Sequence, residues 1–461
     1  MTTKQTQQLQ SGDNRFLHPW ESIDSIGSNQ RTVVTEGDGV YITDSEGNRL
    51  LDGPAGMWCV NIGHRRREMA DAIAEQIMAL TYVSPWSLTN APAANLAEKL
   101  ASISPGDLNH VFYTTGGSTA VDSALRFVMF RNNVLGQPEK KHIIARQNGY
   151  HGSTYLAASA SGKTRDRNYL DVKTDTFHHI SSPHLFDKPA ELSEEAWCQQ
   201  KAEELEQKII EVGASKVAAF IAEPILASGG VQLAPQDYHA ACLGVCHKYD
   251  VVYISDEVVT AFGRLGHFFA SKDVFDIEPD IITCAKGITS GYQPLGAFLV
   301  SDRLIESIQR VDSGAYFSNG FTYSGHPVAC AAALKNIEII ERENILQHVR
   351  DTAPYFQQQL QTLRDLPIVS DVRGVGLMAC VECDINKGRQ KTLSLDYEIG
   401  NRIDQHCQRL GLLVRPIINM CVMSPPLIIT KDQIDEMVGK LRQGIQMAMQ
   451  DVEKDGLWSN S

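Results

Sequence analysis

Six short apolar runs without a polar face constrain the fold of this chain more than any other feature. They alternate with segments long enough to form helices, and they occupy residues 111–115, 142–145, 217–222, 251–255, 281–285 and 295–300. Strands that are apolar on both faces are buried on both sides, as in a parallel sheet covered by helices. The sequence therefore predicts an α/β fold with a mostly parallel sheet sandwiched between helices.

The segments on either side of this region follow a different pattern. Residues 31–52 alternate apolar and polar side chains between turns rich in Gly and Asp, which predicts short antiparallel strands. From about residue 328 a long helix leads into a helix-rich tail with apolar runs near 368–382 and 412–428. We therefore expect both chain ends to build a smaller α+β lobe beside the large sheet domain.

This pattern predicts four segments. They are residues 1–14, polar and expected to be disordered; 15–60, the first part of the small lobe; 61–330, the large sheet domain; and 331–461, the second part of the small lobe.

Composition excludes several classes of protein. The 461 residues include 42 basic and 55 acidic side chains, a net charge of −13, which argues against nucleic-acid binding. No stretch is apolar for long enough to predict a membrane span, and the polar start does not resemble a signal peptide. Ten scattered cysteines suit a reducing cytoplasm better than a disulfide framework. Small molecules are the expected partners.

Three of the apolar runs end abruptly at a charged side chain. Glu223, Asp256 and Lys286 follow three successive predicted strands, at spacings that fit one strand plus one crossover helix. Open α/β sheets bind ligands at the carboxyl ends of their strands, so these three residues are expected to line one crevice. The alternative for each is a solvated residue at the start of a loop.

The run Gly116-Gly117-Ser118-Thr119 also follows a predicted strand and opens a helix. Two glycines allow a tight turn, and the unpaired N–H groups of a helix start can bind an anion such as phosphate. An ordinary helix entry with a capping residue would look the same. Residues 162–164 (GKT) lack the upstream glycine of a P-loop, and residues 374–379 (GVGLMA) continue into a β-like run, so neither predicts a nucleotide site.

A lysine, a buried aspartate, the Tyr150-His151-Gly152 turn and a phosphate cradle together suggest pyridoxal phosphate chemistry. The lysine forms a Schiff base with the cofactor aldehyde, and the acid keeps the pyridine nitrogen protonated. The chain resembles the class III aminotransferases, which are fold type I pyridoxal phosphate enzymes, and within them the ω-aminotransferase branch that uses pyruvate. The resemblance extends from about residue 15 to about 448, and its motifs are LDGPAGMWCVNIGH, TTGGSTAVDSA, NGYHGST, AEPILASGGV, ISDEVVTAFGRLG, TCAKGITSGYQPLGA, GFTYSGHPVACAAAL and LLVRP with SPPLIIT.

The resemblance implies a set of cofactor-binding residues: Gly117, Ser118, Tyr150, Glu223, Asp256, Val258, Lys286 and Thr322. Lys286 would be the catalytic residue that carries the cofactor and moves the substrate proton. Asp256 would pair with the pyridinium nitrogen, and Tyr150 and Val258 would pack on the two faces of the ring. Glu223 would brace Asp256 and the cofactor hydroxyl.

The phosphate would be bound by Gly117 and Ser118 together with Thr322 from the neighbouring subunit, so the active site is expected to be shared across a homodimer. Thr119 stands where the family usually has glutamate, which puts one supporting contact of the phosphate loop in doubt. We expect His151 to support its loop and not to carry a proton.

The resemblance also implies substrate-binding residues: Trp58, Trp86, Tyr150, Ser153, Ser228 and Arg415. Arg415 would bind the carboxylate of the keto acid and swing away when an uncharged amine enters. Its alternative is a surface arginine, and each tryptophan could equally be a core residue.

One group of residues has a spacing that a metal would accept: His239, Cys242 and Cys246 share a predicted helical face. The segment precedes a buried strand, so core packing is the preferred interpretation, and we predict no metal site.

The implied function is a cytoplasmic pyridoxal phosphate ω-aminotransferase, a homodimer or a dimer of dimers. It would move an amino group from a primary amine or ω-amino acid to pyruvate by a ping-pong mechanism through a Schiff base at Lys286. The alternatives are a mutase or decarboxylase on the same scaffold, and a non-catalytic binding protein. The sequence leaves the donor open among β-alanine, taurine, putrescine and an aryl amine.

Overall fold

The computed structural model describes residues 3–28, 31–384 and 393–458. The helices are α1 Thr3–Asp13, α2 Ala55–Trp58, α3 Arg67–Ala79, α4 Ala91–Ile103, α5 Gly117–Val134, α6 Tyr155–Ala160, α7 Glu194–Val212, α8 Tyr238–Lys248, α9 Ala270–Asp273, α10 Asp302–Val311, α11 Pro327–Arg342, α12 Ile345–Gln361, α13 Leu393–Arg409 and α14 Lys431–Lys454. The strands are β1 Val34–Asp38, β2 Tyr41–Asp44, β3 Arg49–Asp52, β4 His110–Thr114, β5 His142–Arg146, β6 Phe177–Ile180, β7 Val217–Ala222, β8 Val252–Asp256, β9 Ile281–Cys284, β10 Gly296–Val300, β11 Val369–Val375, β12 Met378–Cys383, β13 Leu412–Leu413, β14 Arg415–Ile417 and β15 Met420–Met423.

A seven-stranded sheet with the order β4-β10-β9-β8-β7-β5-β6 forms the centre of the molecule. Strand β10 is antiparallel to both of its neighbours, and the other pairs in the sheet are parallel. The predicted α/β fold with a mostly parallel sheet is therefore confirmed. All six apolar runs form strands of this sheet, whereas β6 at its edge was not predicted because two histidines interrupt its apolar pattern.

Helices cover both faces of this sheet, which explains why the strands are apolar on both sides. On β7, Phe220 packs in a cluster with Leu205 of α7 and Cys242 of α8. The next residue, Ile221, packs on the opposite face in a cluster with Leu125 of α5. Because alternate side chains of one strand enter different cores, no polar residue can be placed between them without loss of apolar burial.

Two four-stranded sheets complete the fold, with the orders β1-β2-β3-β13 and β11-β12-β15-β14. In the first sheet, β13 pairs in parallel with β3, and Leu412 lies opposite Leu51, so segments from both chain ends share one sheet. In the second, β11 and β12 form a hairpin in which Val375 lies opposite Met378. The GVGLMA run is thus a β-turn region, as its β-like continuation predicted.

The N-terminal residues differ from the expectation of disorder, because residues 3–13 form helix α1. This helix is rich in Gln, a residue compatible with helix formation, and its single large apolar side chain, Leu9, gives no apolar period from which a helix could be predicted. Within the described ranges no helix is both long enough and apolar enough to cross a bilayer.

A buried arginine joins the segment after β8 to both chain ends. The guanidinium of Arg264 donates hydrogen bonds to the backbone oxygens of Leu377 and Pro425, at 3.0 and 2.6 Å, and to Oδ1 of Asn61 at 3.0 Å. Burial lowers the pKa of Arg264 to about 9. The side chain therefore binds the C-terminal segments to the large sheet domain through neutral oxygen acceptors.

Candidate active site

Three charged residues lie together where neighbouring parallel strands end. Glu223 follows β7, Asp256 is the last residue of β8, and Lys286 lies just beyond β9. The registers of β7 with β8 and of β8 with β9 bring these ends to the same edge of the sheet. The three charged residues thus follow three adjacent strands of the sheet, and Lys286 is the one of the three that lines the cavity described below.

Asp256 is buried, and both oxygens of its carboxylate accept hydrogen bonds. The Thr283 hydroxyl and the Val258 amide donate to Oδ1 at 3.1 and 3.2 Å. Nδ1 of the buried His151 lies 2.7 Å from Oδ2. These contacts fix the orientation of the carboxylate. His151 therefore contacts Asp256 directly and does not only support its own loop. The contact with Thr283 could have been inferred from strand pairing, since the two residues lie opposite each other.

Glu223 is also buried, but its hydrogen bonds differ from the expected brace on Asp256. Its carboxylate accepts from the amides of Tyr150 at 2.9 Å and Ala227 at 3.2 Å. Burial raises the pKa of Glu223, and the negative charge of Asp256 adds to the rise. Glu223 therefore holds the Tyr150 turn against the end of β7.

Lys286 has a buried amine in a strained backbone position. Its φ of 47° lies in the left-handed region, which a side chain with a Cβ rarely adopts. Burial lowers the pKa of Lys286, while the carboxylates of Asp256 and Glu223 oppose that change. A lowered pKa increases the neutral fraction of the amine, the form that attacks an aldehyde and accepts a proton.

The start of α5 has the geometry of an anion cradle. A Cβ added to Gly117 would lie 2.9 Å from a methyl carbon of Val258, so only glycine leaves room there. The Ser118 hydroxyl accepts a hydrogen bond from the Ser153 amide at 3.0 Å, which joins the cradle to the Tyr150 loop. The first amides of the 18-residue helix have no partner within the helix, so they remain available to an anion.

A cavity of about 920 Å³ opens above Lys286. Five of the predicted residues line it: Trp58, Tyr150, Ser228, Lys286 and Arg415. Ser153 adjoins it through a 3.0 Å hydrogen bond to the Tyr150 hydroxyl. The Trp58 ring centre lies 5.3 Å from Nζ of Lys286 and 5.2 Å from Cζ of Arg415, so the ring lies near both cations. Trp58 is a wall of the cavity although its side chain is largely buried.

Arg415 has an incompletely satisfied guanidinium. Its Nη1 is buried and has no hydrogen-bond partner within the described part of the chain. Burial lowers the pKa of Arg415. A carboxylate ligand would supply the missing acceptor, since two guanidinium donors align with its two oxygens.

Several ionisable residues of the cavity were not predicted from the sequence, among them Lys163 and Asp404. Nζ of Lys163 donates to the Ser228 carbonyl, and burial lowers the pKa of Lys163 to about 8. Asp404 of α13 also lines the cavity, although it lies far from Lys163 along the chain. In the sequence Lys163 stands out only as part of the GKT run, which is not a P-loop, and nothing in the local sequence marks Asp404.

Two predicted residues lie away from Lys286. Trp86 and Thr322 line a second cavity of about 640 Å³, where the Tyr82 hydroxyl donates to the Thr322 carbonyl at 2.8 Å. Trp86 is 84% exposed, so it is not a core residue in this chain. A single subunit thus brings these two residues together but leaves them outside the Lys286 cavity.

The family follows from the comparison of the whole chain with known proteins. The model of the family described as Aminotransferase class-III matches residues 24–445. This chain is a class III aminotransferase. Putrescine--pyruvate aminotransferase of Pseudomonas aeruginosa is 39% identical over 446 residues, which cover 96% of this aminotransferase and 97% of that protein. Gamma-aminobutyrate transaminase 1 of Oryza sativa subsp. indica is 38% identical over 92% of this chain and 82% of its own.

Solved structures show the same fold for the aminotransferase. An (S)-enantioselective ω-transaminase from Thermomicrobium roseum superposes with a TM-score of 0.91 at 36% identity, covering 97% of this chain and 98% of that one. The ω-transaminase of Pseudomonas jessenii in complex with PMP superposes with a TM-score of 0.92 at 33% identity, covering 96% and 99%. The fold is that of the type I pyridoxal phosphate transferases, and the cofactor is pyridoxal phosphate.

The residues around Lys286 fit this cofactor. When bound, pyridoxal phosphate supplies an aldehyde that condenses with amines and a ring that accepts electrons. The buried amine of Lys286 would bind the aldehyde, Asp256 would hold the ring nitrogen, and the glycine cradle at α5 would hold the phosphate. The narrow space between Gly117 and Val258 is consistent with close packing of the cradle against the ring site.

Proposed function

We propose that this aminotransferase transfers an amino group from a primary amine or ω-amino acid to pyruvate in two half-reactions. The observation that carries the proposal is Arg415, a buried guanidinium with an unpartnered Nη1 in the cavity that also contains Lys286. Such a group binds the carboxylate of a keto acid. The relative named putrescine--pyruvate aminotransferase supports pyruvate as the acceptor.

The chain's own residues would divide the chemistry among them. Lys286 Nζ takes the proton from the carbon that bears the amino group and returns it during transfer, because its lowered pKa leaves a neutral amine. Asp256, whose carboxylate is fixed by Thr283 and His151, would pair with the ring nitrogen. The Trp58 ring and Tyr150 limit the space for the donor.

We also propose that the active enzyme is a homodimer in the cytoplasm. The predicted phosphate contact of Thr322 supports the dimer, since Thr322 lies apart from Lys286 within one subunit. Ten free cysteines support a reducing compartment. The proposed division is a small lobe from residues 15–60 and 331–461 around a large domain from 61–330, supported by the pairing of β13 with β3.

A panel of donors with pyruvate tests the function, with alanine as the measured product. Donor alone is expected to change the cofactor absorbance, and pyruvate is expected to restore it. If none of β-alanine, taurine, 1,4-diaminobutane and an aryl amine gave either alanine or spectral cycling, the proposal would be contradicted. Carbon dioxide release or isomerised substrate would instead support the decarboxylase or the mutase.

A further inference from the structure

Helix α13 presents one face to the cavity above Lys286. Tyr397, Asn401 and Asp404 are four and three residues apart, so they lie on the same side of the helix, and all three line the cavity. Asp404 contributes the only carboxylate of this face. Its position places a negative charge in the same cavity as the reacting amine.

The carboxylate of Asp404 has an incomplete set of hydrogen bonds. Its Oδ2 accepts one hydrogen bond from Nε2 of Gln408 at 2.8 Å. Its Oδ1 is buried and has no hydrogen-bond partner in the residues that the structure describes. Burial raises the pKa of Asp404 to about 6, and the bond from Gln408 opposes that rise only in part. An ionised carboxylate buried without a cation lowers stability, so a ligand that brings a cation to Oδ1 would be stabilised there.

The other carboxylates that line the cavity already have cationic partners. Asp166 pairs with Arg165 at 2.9 Å, and Glu21 pairs with Arg31 at 2.6 Å. No ion pair joins Asp404 to Arg415 in the described ranges, and both have a buried polar atom without a partner. Asp404 is therefore an unpaired anion in the cavity, and it does not neutralise the buried guanidinium of Arg415.

We propose that Asp404 binds the second ammonium group of an α,ω-diamine donor while the first amine reacts at Lys286. The inference rests on the proposed function and names the class of donor. Asp404 would anchor the diamine in the first half-reaction, and Arg415 would anchor the keto acid in the second. A monoamine leaves Asp404 without a partner, so the site distinguishes diamines from monoamines of the same length.

The test compares 1,4-diaminobutane with butylamine as donors to pyruvate, using the holoenzyme, D404N and a control variant. D404N is expected to lower kcat/KM for the diamine roughly ten- to a hundredfold, chiefly through KM, because a charge-assisted hydrogen bond is lost. Rates with butylamine and the KM for pyruvate are expected to stay within about twofold.

The control is E398Q. Glu398 lies on the same helix, its carboxylate pairs with Arg402, and it does not line the cavity. E398Q is expected to keep the preference for the diamine.

Two outcomes would overturn the assignment: an equal loss for both amines in D404N, or no preference for the diamine in the unaltered enzyme. Binding gives a readout that does not need turnover. K286A loaded with pyridoxal phosphate is titrated with 1,4-diaminobutane, alone and combined with D404N. Weaker diamine binding in the double variant would support Asp404 as the ligand of the second ammonium group, even if no alanine forms. The absence of alanine would then contradict only the proposed function. Equal binding overturns the role of Asp404.

Discussion

Lys286 has a lowered pKa although two carboxylates lie close enough to oppose the change. Burial is the larger effect, because removing an ammonium group from water costs more than the nearby charges return. The balance favours the neutral form of the amine. One residue can therefore bind the cofactor and then act as the base.

Removing this amine tests both roles. K286A is expected to lose transaminase activity by at least about a thousandfold, since the anchor and the base are removed together. Borohydride treatment followed by mass spectrometry of the peptide is expected to show the cofactor fixed on Lys286 in the unaltered enzyme. Cofactor fixed on another lysine, such as Lys163, would contradict the assignment.

Arg415 predicts a separation of the two half-reactions. R415A is expected to raise the KM for pyruvate about tenfold or more, because the carboxylate loses its charge-assisted hydrogen bonds. The cofactor spectrum on addition of a simple amine is expected to change at a rate close to that of the unaltered enzyme. Unchanged dependence on pyruvate would show that another group binds the keto acid.

Asp404 predicts a dependence of stability on pH. The pKa of Asp404 is raised from its usual 3.8 to about 6, so its contribution to folding is complete below about pH 4 and is lost as the pH rises through 6. D404N does not titrate and is expected to be more stable than the unaltered protein by about 3 kcal/mol at pH 8, with a smaller difference at pH 5. Urea unfolding at both pH values measures the change, and an equal difference at the two would exclude this cause.

At the scale of single residues, the sequence predicted the candidate site residues that directly follow strands. Glu223, Asp256 and Lys286 could be identified because an apolar run stops at each of them. Asp404 could not, because its partnerless oxygen depends on the neighbours that folding brings around one helix face. The contact of Glu223 with two backbone amides also depends on loop geometry that local sequence does not encode.

At the scale of elements, the fit between α5 and the Tyr150 loop sets the phosphate cradle. Gly152 has a φ of 137°, and an added Cβ would lie 2.6 Å from the Cα of Ser118. The loop can approach the helix start only because this residue lacks a side chain.

The directions of the strands were less predictable than their positions, since an apolar run such as β10 looks the same in parallel and antiparallel sheets.

G152A is expected to weaken cofactor retention about tenfold or more, because the loop must move away from Ser118 and the cradle opens. The Kd for pyridoxal phosphate, measured by fluorescence after the cofactor has been removed, reports this change. The matched control is G439A in α14, where an added Cβ meets nothing within 4 Å. G439A is expected to keep the same Kd, and an unchanged Kd in G152A would show that the close approach is not needed.

At the scale of the whole molecule, the positions of Lys286 and Thr322 predict that neither subunit is complete alone. K286A and T322D are each expected to be nearly inactive, the second because a carboxylate would repel the phosphate. Mixed dimers of the two variants are expected to regain activity at one site, formed by Lys286 from one subunit and Thr322 from the other. Mixing, unfolding and refolding the two proteins together, followed by the alanine assay, measures the recovery. Activity that stays at the level of the separate variants would place Thr322 outside a shared site.

The hydrogen bonds of Arg264 have a consequence for the substitutions that this chain can tolerate. Two of its three acceptors are backbone oxygens, those of Leu377 and Pro425. A backbone oxygen remains present whichever side chain the residue carries. The C-terminal segments, which include the strand that bears Arg415, can therefore accumulate substitutions and alter donor preference while their attachment to the catalytic sheet persists.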